Sequence, residues 1–315
     1  MIDSGYLAKG LNAMARAHLV SPMSGHLGAA VVAGSFISEQ HPDLDDAVCG
    51  GIEGELERIV QGGSVFGPRE GATLSAPEMF EPFATESLDG SRIDGIAEAL
   101  AGNINRTRQS GHNVIFASIA IRALRSHPEL AIPAVIDGIR ALVASFDGGS
   151  PGSGYYGKEK GRIAGQNVPL PDDDALPPFP DLATMANTVI DDLIQHAAKN
   201  RSGFGGLWHV INHAAGLAEL ARYGYPELAA MGLAAQRQHV RLWRTLPDAA
   251  SELGPETPTE HDPLTAAFWQ SGEIRRERAH LTHRIKTMYG FDALVSLVED
   301  KVKRSRGRDR LRYLM

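Results

Sequence analysis

Cysteine is almost missing from this chain: Cys49 is the one thiol in 315 residues. An internal disulfide framework is therefore excluded, and a reducing compartment is expected. No Cys-x-x-Cys surrounds Cys49, so it reads as a packing residue. Aromatic residues are scarce at 6%, and alternating β-branched runs are few and short, which argues against a sheet-built fold. Excess positive charge is lacking too. The net charge of -7 removes nucleic acid from the expected partners, because phosphate backbones want a basic stripe. The one basic run, 301–312, reads as a solvated last turn and tail. No apolar stretch reaches the ~18 residues of a membrane span. The start, MIDSGYLAKG, has neither the basic nor the apolar region of a signal peptide. No membrane association and a cytoplasmic location are the expectations.

What is present is ordinary for a globular protein: 43% hydrophobic and 22% charged residues. The order in which they come is informative. Ser24-Gly25-His26 opens an apolar stretch that closes at His41-Pro42-Asp43-Leu44. Ser110-Gly111-His112 opens another that closes at His127-Pro128-Glu129-Leu130, with identical internal spacing. A third copy runs from Trp208-His209 to Tyr225-Pro226-Glu227-Leu228. Such a doubled landmark points to internal repetition.

Each landmark stretch follows an amphipathic segment (5–20, 91–106, 181–200) and precedes another (44–61, 130–147, 227–245). Proline ends one helix, and the acidic residue after it suits the positive end of the next. A shorter fourth unit, 263–303, carries His280 and His283, with a following helix from Phe291. The expected fold is all-α: one domain over 1–315, built of imperfect three-helix repeats at about 3–61, 91–147, 181–245 and 263–303. Either an α/α toroid or a compact helical bundle fits that pattern. AAVVAGSFI and VIFASIAIRAL show almost no polar face, so the landmark helices should be innermost. Three long connections, 62–90, 148–180 and 248–262, all follow a third helix and should meet the end where the landmark helices start, as lids.

His26 and His112 sit in a first helical turn behind serines that look like N-caps. The helix dipole disfavours imidazolium there, so both are expected neutral, able to accept protons or bind a metal. His209 and His213, four apart, share one helix face as two metal ligands would, and His280 is a third candidate ligand. No general-base Glu stands beside His209, unlike the metalloprotease helix. Glu277 precedes His280 by three, as in carboxylate-bridged di-iron bundles, but a second copy is lacking. Ser24-Gly25-His26 matches part of the vanadate-type acid phosphatase motif, yet that motif's other basic stretches are missing. Asp172, Asp173 and Asp174 read as a solvated acidic turn rather than a calcium loop. Tyr155, Tyr156, Lys158 and Lys160 form a flexible loop with anion-binding character as its alternative. Trp208 and Trp243 read as core. Gly62-Gly63 and Gly148-Gly149 fail the spacing of phosphate-binding fingerprints.

Gly25-His26-Leu27-Gly28-Ala29, Gly111-His112, His209 or His213, and His283-Arg284-Ile285-Lys286 follow one another in an order that resembles the questin oxidase-like family, an α-helical group. Gly25 departs from that pattern, which has an Asn beside the first histidine. The resemblance spans most of the chain and implies NADPH-dependent oxidative cleavage of a polycyclic aromatic ketone. Taken together, the residues point to a small-molecule enzyme with a central cavity lined by His26, His112, His209, His213, His280 and His283, an oxidoreductase or oxygenase acting on a cyclic or aromatic substrate. His26, His112, His213, His283 and Lys286 are its catalytic candidates, and Lys286 and Arg125 are candidate anion holders. A metal-dependent hydrolase or lyase on His209, His213 and His280 is the alternative, with NADPH or a divalent metal as cofactor. A non-catalytic helical scaffold is the competing class. The expected partner is a small-molecule ligand, with homo-oligomerisation allowed.

Overall fold

The computed structural model describes residues 1–170, 176–276 and 280–315; Asp172, Asp173, Asp174 and Glu277 lie outside the described residues. The fold is all-α. Fourteen α-helices stand among the described residues, with one two-stranded antiparallel ribbon. No helix there is long and apolar enough to cross a membrane. The chain divides into two compact units, 1–102 with 116–146 and 261–289, and 103–115 with 147–260 and 290–315.

In the first unit, helix α1 (Gly5–Val20) packs against α2 (Gly25–Gln40) and α7 (Pro133–Ala144). Small residues permit this closeness. A Cβ on Gly28 would lie 2.3 Å from the Gly10 carbonyl, and one on Gly138 2.4 Å from that of Ala15. Every residue of α2 from Gly25 to Ser38 is buried, as its unbroken apolar pattern requires. Residues 113–124 of α6 (His112–Ser126) are likewise buried without a break. Around these pack α3 (Asp46–Val60), α4 (Ala76–Phe80), α5 (Asp94–Ala101), α12 (Ala266–Ser271) and the first part of α13 (Leu281–Val295). Cys49 is buried on α3.

The proline landmarks end helices as expected: His41 N–H donates to the Ile37 carbonyl at the close of α2, and His127 N–H to Ala123 at the close of α6. The serine caps are a different matter. Ser24 is already helical and its side chain caps nothing, because a short 3-10 turn, Pro22–Ser24, precedes α2 and is capped by Ser21, whose hydroxyl accepts from Met23 N–H. Ser110 cannot cap either, since its backbone is left-handed (φ 60°). The segment 91–106 is helical only from Gly90 to Ala101, first as a 3-10 turn and then as α5.

The second unit contains α8 (Leu182–His196), α9 (Gly206–Arg222), α10 (Pro226–Arg244), α11 (Ala250–Leu253), the end of α13, and α14 (Lys301–Leu311). Phe291 does not start a helix but continues α13 through Gly290, where a Cβ would lie 2.5 Å from Asn212 Oδ1. The basic run is solvated for most of its length, as expected, but forms a whole helix rather than a last turn. Asp300 caps α14, and Lys303 reaches Asp191 at 3.0 Å while Arg308 reaches Asp292 at 2.7 Å. Loop 148–180 carries the ribbon, β1 (Ser153–Tyr155) pairing β2 (Arg162–Ala164) with Gly154 opposite Ile163. It begins by accepting Gln109 N–H at Ser150 (2.7 Å) and Ser110 N–H at Pro151 (3.1 Å), immediately before His112.

Candidate functional site

Two side-chain groups stand out, one in each unit. In the first, His26 comes from the first turn of α2, and His283 and Lys286 from one face of α13, three residues apart. His26 is 1% exposed and Lys286 1%. Lys286 Nζ donates to His26 Nδ1. The imidazole of His26 stacks on Phe66 (centroids 4.1 Å apart, planes at 20°) and meets Phe116 (5.5 Å) and His283 (4.8 Å) edge-on. The Lys286 amine also lies 5.6 Å from the centre of the Phe116 ring. His280 is one step outward, its ring 6.2 Å from that of His283.

No carboxylate pairs with Lys286 among the described residues, and its burial holds the amine far below the usual lysine range. Burial thus favours the neutral amine over the ammonium. A cleft of about 690 Å³, lined by Ser21, Met23, Ser24, Phe66 and Arg69, reaches this group through Phe66, which is both its wall and the His26 stacking partner. Arg125, a candidate anion holder or equally a surface residue near the helix end, forms a surface ion pair with Asp94 at 2.5 Å.

In the second unit the histidines are held by unusual backbone. Three non-glycine residues among those described have positive φ: Gln109 (43°), Ser110 (60°) and Phe204 (49°). Each presents its carbonyl to an imidazole. His112 Nδ1–H donates to Gln109, His209 Nδ1–H to Ser110 (3.0 Å) and His239 Nε2–H to Phe204 (2.8 Å). Left-handed backbone at a non-glycine residue costs on the order of 1–3 kcal/mol and is kept where surroundings enforce it.

These bonds fix tautomers. The His112 and His209 rings meet edge-on at 4.5 Å with the proton on Nδ1, which leaves Nε2 of each as the acceptor nitrogen. His239 has its proton on Nε2, hence accepts at Nδ1 from His213 Nδ1–H (3.1 Å). That leaves His213 Nε2, fully buried, without a hydrogen-bond partner among the described residues. Of the metal candidates, His209 and His213 each have Nδ1 engaged in a hydrogen bond.

Burial pushes His239 down to about 4, and pushes His213 well below the ordinary histidine value, with His239 adding to the depression. The sign follows directly. Between about pH 6.5 and 4 the unfolded chain takes up protons that the folded pair refuses, so the stability present above pH 6.5 is lost as pH falls. Each unit of depression corresponds to roughly 1.4 kcal/mol. The urea midpoint should fall steeply from pH 7 to 5, and His239→Gln should flatten that fall; parallel profiles would rule the pair out as its source.

Phe66, Phe116 and His239 were not among the candidates drawn from the sequence. Phe66 had a signal: it is a lone aromatic in the glycine-rich loop GGSVFGPREG. His239 had one too, sharing the buried face of α10 with Gln236. Comparison with protein-family models, curated protein sequences and solved structures yields no match to this chain.

Proposed function

We propose that this chain is a small-molecule enzyme in which Lys286 and His26 take a proton from a planar cyclic or aromatic substrate, with oxidation of the resulting anion as the overall reaction. The observation that carries this reading is the Lys286 amine: buried, hydrogen-bonded to His26, and lacking a carboxylate counterion among the described residues. A lysine held neutral is a base at pH 7. A phenolic or enolic proton would pass to Nζ, and His26 Nδ1 would accept a hydrogen bond from the new ammonium. Phe66 walls the 690 Å³ cleft and stacks on His26, so a flat substrate in the cleft would meet an aromatic surface there, and Phe66 would have to swing aside to admit it to Lys286.

An aryloxide or enolate is more electron-rich than its conjugate acid, which is the form an oxidant attacks. The likeness to the questin oxidase-like pattern supports ring cleavage by dioxygen as the oxidant, one oxygen atom entering the substrate while NADPH supplies the two electrons that reduce the other to water. A metal-dependent hydrolase or lyase is the second reading, favoured by the unpartnered Nε2 of His213; elemental analysis of the purified protein decides between them.

The test uses a polycyclic hydroxyaryl ketone whose anion absorbs to the red of its neutral form. Bound to the wild type at a pH where the free compound is neutral, it should show the anion spectrum. Phe66→Ala should weaken binding by about tenfold, the worth of one aromatic stack. A bound but un-ionised probe defeats the proton-transfer reading, and no binding at all favours a scaffold.

A further inference from the structure

We propose a second ligand site, in the cleft beside the strained turn at Gln109 and Ser110, that binds an organic phosphate through Arg106 and Arg108. The proposal does not rest on the Lys286 chemistry. The cleft measures about 490 Å³, within the range of small-molecule pockets. Its polar wall is made by Arg106, Arg108, Ser150, Gln166 and Gln238.

Arg106 is exposed and takes part in no hydrogen bond or ion pair among the described residues. Arg108 is half-buried. Its Nη1 donates to the Gly149 carbonyl at 2.9 Å, which fixes the guanidinium plane, while its Nε is buried without a partner. Among the described residues no carboxylate lines the cleft. Two arginines and neutral polar groups therefore make its polar lining there.

The charge count selects the ligand class. One guanidinium held by Gly149 and a second free to close on the ligand match a phosphate dianion, which accepts from several directions; a single carboxylate would leave one of them unanswered. Pro151, Val168 and Leu170 also line the cleft and suit the ligand's organic part rather than a free ion.

The placement has a structural reason. Arg108 precedes the two left-handed residues, and Ser150 and Pro151 accept the N–H groups of those same residues. A phosphate gripping Arg108 and Ser150 would brace the turn whose carbonyls orient His112 and His209. Strain held at a turn between two polar groups is what a ligand-supported site requires.

Calorimetric titration of the whole protein with adenosine 5′-monophosphate and with inorganic pyrophosphate tests the assignment, with benzoate as the carboxylate comparison. Wild type should bind both phosphates and prefer the nucleotide. Arg106→Gln, at an exposed residue without bonds, should keep its melting temperature and lose about tenfold in affinity for one charge-assisted contact. Arg106→Gln with Arg108→Gln should show no binding. Lys286→Met should bind as wild type does. Three outcomes overturn the proposal: no heat with either phosphate, benzoate binding as tightly as the nucleotide, or affinity that survives Arg106→Gln but disappears in Lys286→Met.

Discussion

Lys286→Met should lower kcat on a planar aromatic substrate by about 10²–10⁴-fold, the usual contribution of a positioned base, while raising the melting temperature. The two effects have opposite signs for one reason. Burial holds the folded Lys286 amine well below its ordinary value, with no carboxylate among the described residues to offset the cost. The unfolded chain retains its proton up to about pH 10.4. Below that value the unfolded state binds more protons, so stability rises with pH as the unfolded lysine approaches its own pKa. Methionine has nearly the same shape and nothing to protonate. The variant should therefore be more stable at pH 7, with a shallower rise towards alkaline pH. Each kcal/mol gained moves the melting temperature of a chain this size by roughly 2–4 °C or somewhat less. Lys286→Arg should rescue neither property, because a guanidinium cannot be neutralised. A Lys286→Met variant that is active and less stable would show that the amine is structural.

The same opposition explains which parts of the protein were legible in its sequence. Unbroken apolar runs such as 29–37 and 114–124 have one stable outcome, burial on every side, and they are buried. Proline landmarks act locally through φ and a missing N–H, so His41-Pro42 and His127-Pro128 end their helices where the sequence says. Lys286 stood out because His283-Arg284-Ile285-Lys286 could be read as a motif. What was not legible depends on partners far along the chain. Phe66 matters because it stacks on His26, a relation set by where a glycine-rich loop returns, and no periodicity encodes that return. The Ser24 and Ser110 caps failed because the turn before each helix is governed by other residues, Ser21 in one case and the bonds to Ser150 and Pro151 in the other. The left-handed residues were invisible too: Gln109 and Phe204 carry no sequence signal for positive φ, unlike Gly111 and Gly205 beside them.

Glycines within helices give the sharpest test of the packing that carries His26. Helix propensity alone says that Gly→Ala stabilises any helix interior by about 0.5–1 kcal/mol. Gly50 and Gly54 on α3 should obey it: both are exposed, and a Cβ at either meets nothing within 4 Å. Gly28 on α2 should reverse it. There the Cβ would lie 2.3 Å from the backbone oxygen of Gly10 and 2.6 Å from the backbone nitrogen of Met14. Neither atom belongs to a side chain that can swing aside, so α1 and α2 would have to separate along their contact. Overpacking of a close core costs typically 1–3 kcal/mol and sometimes more, and a backbone clash belongs at the upper end. Gly28→Ala should therefore lower stability by about 3 kcal/mol, while Gly50→Ala and Gly54→Ala raise it by a few tenths to one, all read from urea midpoints at pH 7. The displacement should also reach His26, half a turn earlier on the same helix, and loosen its bond to Lys286. A folded Gly28→Ala protein should then lose kcat, whereas the two α3 variants keep it. If Gly28→Ala were neutral in both stability and rate, α1 and α2 would not be in backbone contact, and the rigid seat assigned here to His26 would have to be given up.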